Sequence, residues 1–207
     1  LYSDINGDYI RAEPLHGRAL AIREKALGAE HPLVAQSLNN LANLYRLKSD
    51  YVRAEQLYQR ALAIREKALG AEHPDVAGTL NGLAIMYRSK GDLVRAEPLY
   101  QRSLAIKEKA LGAEHPDVAT SLNNLGNLYR EMGDYRRAEL LQQRALAIWE
   151  KALGSEHPDV ATSLNNLAFV YFKTGDYARA EPLYQRALAI REKALRGENP
   201  LVATSLN

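Results

Sequence analysis

Histidine next to glutamate is the residue pair in this sequence that could hold a metal ion. The pair recurs every 42 residues, as Glu30-His31, Glu72-His73, Glu114-His115 and Glu156-His157. Zinc needs about four ligands at distances of about 2 Å. Copies in successive helical repeats lie about one helix diameter apart, roughly 10 Å, so they cannot share one ion. We predict no metal site and interpret each histidine as a loop residue that packs or caps beside the following proline.

Nucleophilic and phosphate-binding patterns give no catalytic site either. Ser37, Ser121 and Ser163 have no repeated histidine and aspartate to activate them. The glycine-containing segments GAEHP and GSEHP lack the further glycines and the lysine of a phosphate-binding loop. The glutamates of the REKAL segments fit i,i+4 pairing and solvation better than acid–base work. The sequence therefore predicts a protein that is not an enzyme and needs no cofactor.

Composition narrows the class of partner. The 207 residues include 27 Lys plus Arg against 25 Asp plus Glu, a net charge of +2, so we expect neither nucleic acid nor an anionic membrane as partner. Cysteine is absent, which excludes disulfides and thiolate metal sites. No apolar run approaches the roughly 20 residues that cross a bilayer, and no signal peptide is recognisable. We expect a cytoplasmic protein.

The 42-residue period is the main organising feature of the chain. Such a period indicates an array of supersecondary units, none of which can bury its apolar face alone. His-Pro steps mark the unit starts, and the step at Asn199-Pro200 falls where the next copy belongs. The predicted units are a partial unit 1–30, full units 31–72, 73–114, 115–156 and 157–198, and a truncated unit 199–207.

Each unit reads as two helices. In the first helix, Pro32 suits the first helical position, and the residues at helical spacing on its apolar face are Val34, Leu38, Leu41, Leu44 and Tyr45. The predicted N-caps of the second helices are Asp50, Asp92, Asp134 and Asp176. Their apolar stripe, in the first full unit, is Tyr51, Ala54, Leu57, Tyr58, Ala61, Ile64, Ala68 and Leu69. The second helices are expected to end at Gly70, Gly112 and Gly154.

The positions of several of these residues resemble the tetratricopeptide signature. The matching residues are Leu38, Leu41, Ala42, Tyr45, Ala54, Tyr58 and Ala61. With its longer ALAIREKALGAEHP junction, the unit resembles the 42-residue repeats of kinesin light chains and nephrocystin-like proteins. The resemblance covers the whole chain. It implies an all-α fold, a right-handed α-solenoid of antiparallel helix pairs. It also implies a protein-interaction scaffold whose first helices line a concave groove that holds an extended peptide.

The resemblance also implies which side chains face that groove. The predicted peptide-binding residues are Asn39, Asn40, Asn43, Arg46, Asn81, Arg88, Asn123, Asn124, Asn127, Arg130, Asn165, Asn166, Phe169 and Phe172. An asparagine amide both donates and accepts, so a column of amides could pair with a peptide backbone. The alternative is that these amides brace adjacent helices or simply occupy an exposed face. The arginine column would favour an acidic ligand, unless it is only solvated.

The fourth full unit departs from this pattern at two positions. Phe169 stands where Asn43 and Asn127 stand, and Phe172 stands where Arg46 and Arg130 stand. Our hypothesis is that both rings form one apolar pocket for a hydrophobic or aromatic ligand side chain. The alternative is that they cover a neighbouring helix. Trp149, at an arginine position of the second helix, is interpreted as a surface residue, with a contact role on the convex side as a further option.

The ends of the sequence suggest a third kind of contact. The first residues read as the tail of a first helix, and the last residues as the opening of another, with Leu201, Val202 and Leu206 on its apolar face. Such faces could stack end to end between molecules. Two alternatives to a peptide-binding scaffold remain open: a structural spacer that self-associates, and the sensor array of a larger signalling enzyme.

Overall fold

The computed structural model describes residues 2–198 of the chain, with side chains from residue 11 to residue 194. This part consists of helices joined by short loops and contains no strand. The A helices, which open each repeat, are α2 (Pro32–Leu47), α4 (Pro74–Ser89), α6 (Pro116–Glu131) and α8 (Pro158–Lys173). The B helices are α1 (Tyr2–Leu27), α3 (Tyr51–Leu69), α5 (Leu93–Leu111), α7 (Tyr135–Leu153) and α9 (Tyr177–Glu198).

The chain divides into two compact units, residues 1–110 and residues 111–207. In the first unit α2 packs against α1 and α3, and α3 packs against α4. In the second unit α7 packs against α6 and α8, and α8 packs against α9. Loops of three residues join each A helix to its B helix, so the two run antiparallel. The predicted fold class, an all-helical array of antiparallel helix pairs, is confirmed.

Each A helix begins with a histidine cap. Nδ1 of His31 accepts a hydrogen bond from the backbone N–H of Leu33 at 3.1 Å. The same bond recurs at His73, His115 and His157, with lengths of 3.1–3.2 Å. The following proline takes the first helical position, where its missing N–H is no loss. The prediction that these histidines cap beside proline is confirmed.

The B helices begin and end as their sequence predicts. Asp134 accepts a hydrogen bond from the N–H of Arg137 at 3.0 Å, and Asp50, Asp92 and Asp176 make the same bond three residues on. Gly154 ends α7 with φ 87° and ψ 156°, a conformation open almost only to glycine. Local chemistry therefore fixes both ends of these helices.

The apolar face predicted for α2 forms the core between the helices. Its five predicted residues are all less than 10% exposed, and so are Ala35 and Ala42, which the prediction omitted. In α3 the predicted Ala54, Tyr58, Ala61 and Ile64 are buried. Ala68 is exposed, against the prediction.

The interpretation of Trp149 as a surface residue is wrong, since its side chain is only 4% exposed. Its counterpart in the first unit, Arg65, shows why. Arg65 is 8% exposed, and its Nη1 donates to the carbonyl of Asp75 at 2.8 Å and to Oγ1 of Thr79 at 2.7 Å. This position of a B helix therefore faces the next A helix, where an indole can be buried as readily as the stem of an arginine.

The expectation for the first residues is also wrong. They form no separate first helix, because α1 runs without interruption from Tyr2 to Leu27. A single glycine inside a helix costs only about 1 kcal/mol, so Gly7 does not end it. Leu201, Val202 and Leu206 lie outside the described residues.

Candidate peptide-binding face

The fourteen predicted peptide-binding residues all lie on the A helices. We call the surface that they form within each of the two compact units the ladder face. Three of the four repeat positions, such as Asn39, Asn43 and Arg46, are spaced i, i+4 and i+7 and so share one side of their helix. None of the fourteen is buried; each is half-buried or exposed. The ladder face is therefore a real surface of each unit, although its residues differ in what they contact.

In the first unit, two of the ladder amides brace neighbouring helices. Asn39 Nδ2 donates to Oγ1 of Thr79 at 3.1 Å, which joins α2 to α4. Asn43 Oδ1 accepts from the hydroxyl of Tyr58 at 2.7 Å, which joins α2 to α3. Burial raises the pKa of Tyr58, while Arg46 beside its hydroxyl acts in the opposite direction. The bracing role, one of the two alternatives for these amides, holds for both.

Asn40 lies beside these braces and is exposed. It lines a cavity of about 230 Å³ together with His16, Asn43, Leu44 and Leu47. Its amide makes no hydrogen bond to another residue of the range 11–194. The first unit therefore offers a small, mixed polar and apolar cavity with at least one available amide.

In the second unit the amides again brace the A helices. Asn166 Nδ2 donates to Oδ1 of Asn123 at 2.8 Å, which joins α8 to α6. Gln142 of α7, only 1% exposed, donates from Nε2 to the carbonyl of Asn123 at 3.2 Å and to Oδ1 of Asn127 at 3.5 Å. Gln142 occupies the position of Tyr58 in its repeat, so both residues are buried side chains of a B helix that form hydrogen bonds to asparagines of the ladder face. Sequence reasoning missed this role of that position.

Phe169 carries two cations on its ring. The guanidinium carbon of Arg130 lies 4.8 Å from the ring centroid, and Nζ of Lys173 lies 5.4 Å from it. Cations at such distances are attracted by the ring quadrupole. Neither cation has a carboxylate within ion-pair distance among residues 11–194. Phe169 thus gathers two uncompensated positive charges on the ladder face.

Phe172 contacts different neighbours. Its ring meets that of Tyr177 edge to face, with centroids 5.5 Å apart and planes at 62°. Both rings line a cavity of about 340 Å³, whose other lining residues are Ala180, Glu181, Tyr184 and Gln185. Burial raises the pKa of Tyr184, and the charge of Arg130 acts in the opposite direction. Phe169 is not among the lining residues, so the structure does not bring the two phenylalanines into one pocket.

Sequence reasoning missed Lys173, Tyr177 and Tyr184 at this place. The repeat position of Lys173 holds Leu47, Ser89 and Glu131 in the other copies, so the repeat pattern gave no signal for it. The remaining predicted residues, Asn81, Arg88, Asn124 and Asn165, lie on the ladder face, half-buried.

Two further properties of the described residues bear on function. No group of three or more histidine, aspartate or glutamate side chains in this part of the chain could hold a metal ion. None of its helices combines the length and the apolar character that a membrane span requires.

Comparison with known proteins identifies the repeat. The family described as "Tetratricopeptide repeat" matches residues 5–67, 43–109, 75–151, 141–193 and 159–207. Among curated proteins, no sequence is significantly similar to this chain.

Solved structures are similar over nearly the whole chain. BtubC (BKLC) from P. vanneervenii is 33% identical, with a TM-score of 0.82 over 95% of this chain and 78% of that one. The nearly identical TPR-like repeats of a putative kinesin light chain from Podosopora anserina are 32% identical, with a TM-score of 0.76 over 92% of this chain and 90% of that one. The apo form of RapI, 21% identical with a TM-score of 0.77 over 93% of this chain and 68% of that one, shares the fold. The resemblance to kinesin-light-chain-like repeats is confirmed.

Proposed function

We propose that this chain, which belongs to the tetratricopeptide repeat family, binds an extended segment of a partner protein along its ladder face. Proteins built from this repeat are generally interaction scaffolds without enzymatic activity. A surface of half-buried polar and aromatic side chains on consecutive A helices is suited to that role, because an extended segment can meet the same repeat position on each helix.

The charge cluster on Phe169 is the observation that carries the proposal. Arg130 and Lys173 lie against one ring, and neither has a carboxylate partner among residues 11–194. Elsewhere in the second unit, cations such as Arg179 and Arg186 are paired with carboxylates. A carboxylate of the ligand would supply the missing partner and form charge-assisted hydrogen bonds. We therefore propose an acidic residue in the bound segment.

The cavity at Phe172 supplies a second element of recognition. Its volume of about 340 Å³ is at the lower end of the range for ligand pockets, roughly 300–1,000 Å³. Its wall includes the rings of Phe172, Tyr177 and Tyr184. Aromatic and other apolar side chains are the groups that gain most from entering such a site. We therefore propose an aromatic or large apolar residue near the acidic one.

Hydrogen bonds to the ligand backbone would come from the amides that brace no helix. Asn40 and Asn165 make no side-chain hydrogen bond to another residue of the range 11–194, whereas Asn39, Asn43, Asn123 and Asn166 do. An amide that is already bonded can still offer its second group, so the bracing amides remain secondary contacts. Among the predicted peptide-binding asparagines, Asn40 and Asn165 are therefore the first to mutate.

Peptide binding tests the proposal directly. Fluorescein-labelled peptides that combine an acidic residue with an aromatic one are titrated with the chain, and binding is followed by anisotropy. We expect salt-sensitive binding that weakens about tenfold or more in Arg130→Ala/Lys173→Ala, because each charge-assisted bond contributes about 1.5–3 kcal/mol. Arg136→Ala is the matched control, since Arg136 is an exposed residue of α7 outside the ladder face, and it should bind like the original chain.

Two results would contradict this function. If no peptide of the set binds, the repeats act as a spacer or meet their partner through another surface. If binding occurs but the double variant and the Arg136→Ala control bind equally well, the cluster on Phe169 takes no part in recognition.

A further inference from the structure

The histidine caps of the A helices depend on a ring nitrogen that carries no proton. Nδ1 of each capping histidine accepts the backbone N–H of the residue two positions on, at 3.1–3.2 Å. The lone pair that accepts this bond exists only while Nδ1 is unprotonated, with the ring proton on Nε2. In a protonated imidazole both nitrogens are donors, so two N–H groups would face each other. Protonation of one histidine therefore removes one cap.

Protonation also places a charge of the wrong sign at the start of the helix. The N-terminal end of a helix carries a partial positive charge and stabilises anions there. An N–H group in the first turn of a helix has no acceptor within that helix, so the loss of the imidazole leaves it to water. Both effects disfavour the first turn when the ring is protonated.

Ion pairs of the following B helix lie near every capped loop. A lysine of that helix pairs with the glutamate that precedes each histidine; the pairs are Lys67–Glu30, Lys109–Glu72, Lys151–Glu114 and Lys193–Glu156. An arginine of the same helix donates to the loop carbonyl two residues before the histidine in three copies; these arginines are Arg102, Arg144 and Arg186. Arg60, the counterpart near His31, pairs with Glu24 at 2.7 Å. Since these groups recur along the array, differences between the histidines come from other neighbours.

His31 has a cation beside its helix start and no aspartate in the first turn. Nη1 of Arg23, on α1, donates to the carbonyl of Leu33 at 3.0 Å and to Oγ of Ser37 at 2.8 Å. A guanidinium therefore lies against the first turns of α2. Leu33 stands where the later copies have aspartate. A second positive charge at this helix start would meet a like charge, and like charges repel.

His157 has the opposite neighbours. A carboxylate oxygen of Asp159 lies 3.6 Å from its Nδ1, close enough to pair with a protonated ring. The B-helix position that holds an arginine before α2 holds Trp149 before α8, and an indole carries no charge. A protonated His157 therefore loses its cap bond but gains an ion pair with Asp159, which offsets part of the loss.

His73 and His115 combine both kinds of neighbour. Each is followed two positions on by aspartate, and a carboxylate oxygen of Asp117 lies 3.9 Å from Nδ1 of His115. The B-helix position that differs between the other two copies holds Arg65 before His73 and Lys107 before His115. We therefore expect these two caps to respond to acid between His31 and His157.

We propose that the four histidine caps make the array sensitive to mild acid, opening the first turns of the A helices, with the start of α2 opening more readily than the start of α8. Histidine is the side chain that ordinarily changes charge between about pH 5 and pH 8. Four of the five histidines of the chain are caps. One drop in pH therefore acts on four helix starts at once, and the repeat multiplies a small local effect.

Urea unfolding at about pH 7.5 and about pH 5.5 tests the proposal, because histidine ordinarily protonates near 6.5. We expect the urea midpoint of the chain to fall between these two pH values. In His31→Asn/His73→Asn/His115→Asn/His157→Asn the fall should be at most about half as large, since asparagine caps a helix without taking up a proton. The Asn199-Pro200 step of the chain has the same residue pair. His16→Asn is the matched control, because His16 lies inside α1, and it should keep most of the fall.

Amide exchange with water, measured by NMR on the original chain, tests the order of opening. The reporters are the N–H groups of Leu33 and Asp159, which donate to the two Nδ1 atoms, and each rate is divided by that of the unfolded chain at the same pH. On acidification we expect the protection of Leu33 to fall about twofold to thirtyfold, the range that a helix cap contributes, and that of Asp159 to fall less.

Three results would overturn the proposal. The first is a urea midpoint that does not change between the two pH values. The second is a fall of the midpoint that is equally large in the variant with four asparagines. The third is protection that stays constant at Leu33, or that falls as much at Asp159 as at Leu33.

Discussion

At the scale of single residues, the ladder face combines two kinds of polar side chain that look alike in sequence. Asn39, Asn43, Asn123 and Asn166 hold helices together through hydrogen bonds. Asn40 and Asn165 make no such bond within the range 11–194. The repeat pattern could not separate the two kinds, because the difference depends on which side chain of the neighbouring helix stands opposite. For Asn39 that side chain is Thr79, and for Asn43 it is Tyr58.

The bond from Tyr58 to Asn43 gives a test of the bracing role. Tyr58 is fully buried, and its hydroxyl donates to Asn43 Oδ1 at 2.7 Å. We expect Tyr58→Phe to lower the free energy of unfolding by about 1 kcal/mol, measured by urea denaturation. Tyr177→Phe is the matched control, since the Tyr177 side chain is 62% exposed. Equal effects of the two substitutions would argue against a structural role for this bond.

The aspartate caps make stability depend on pH in a definite direction. Hydrogen bonds from the backbone and side chain of Arg137 hold the pKa of Asp134 below its ordinary value. A lowered pKa in the folded state stabilises the fold above the ordinary aspartate pKa, and this contribution is lost as the pH falls through the lowered value. Asp134→Asn keeps the capping oxygen but removes the charge.

We therefore expect Asp134→Asn to be less stable than the original chain near pH 7. The difference in free energy of unfolding should shrink as the pH falls below the aspartate range, because the original carboxyl becomes protonated too. Urea denaturation at a series of pH values measures this difference. A gap that stays constant down to the most acidic pH would show that charge at the cap does not contribute.

At the scale of elements, the sequence predicts where the helices begin and end better than it predicts which residues of the B helices are buried. The proline, aspartate and glycine that fix the ends act within a few residues of themselves. Burial of the B helices depends instead on two neighbouring A helices. Ala68 is exposed and Trp149 is buried, both against expectation, because amphipathic spacing within one helix does not show which positions the neighbouring helices cover.

The glycine that ends a B helix gives a prediction at this scale. Gly154 has φ 87° and ψ 156°, so Gly154→Ala should destabilise the fold by about 1–3 kcal/mol. Gly78 lies inside α4, and a Cβ there would meet nothing within 4 Å. Gly78→Ala should therefore stabilise the fold by about 0.5–1 kcal/mol. Thermal or urea unfolding measures the change in stability of each variant. If both variants change in the same direction, the backbone conformation of Gly154 is not what makes glycine necessary there.

At the scale of the whole molecule, the repeat determines the fold, and the proposed function rests on departures from the repeat. The 42-residue period predicts the helix pairs, and the residues that match the tetratricopeptide signature indicate the family; both are confirmed. Phe169 and Phe172 depart from the repeat within one A helix, and Lys173 lies on the same helix. They gather the contacts that carry the proposed acidic and aromatic preference. The cytoplasmic location and the limits of the repeat units stay predictions.

The separation of the two phenylalanines could not be read from their spacing. Three residues apart on one helix, they were expected to share a pocket, but Arg130 of the preceding A helix lies against Phe169 and Tyr177 lies against Phe172. These neighbours come from α6 and α9, and only the packing of the three helices shows which ring each of them meets. The sequence shows that both rings lie on one helix, and the structure shows which residues contact each ring.

The central claim is that a peptide lies along the ladder face. Side-chain amide resonances of the chain, followed by NMR while an acidic and aromatic peptide is added, test it most directly. We predict that the signals of Asn165, Asn127 and Asn123 shift progressively with peptide concentration, and that Arg130→Ala/Lys173→Ala suppresses the shifts. Shifts confined to the outer surfaces of the B helices, or none at a concentration where binding is measured, would contradict the claim.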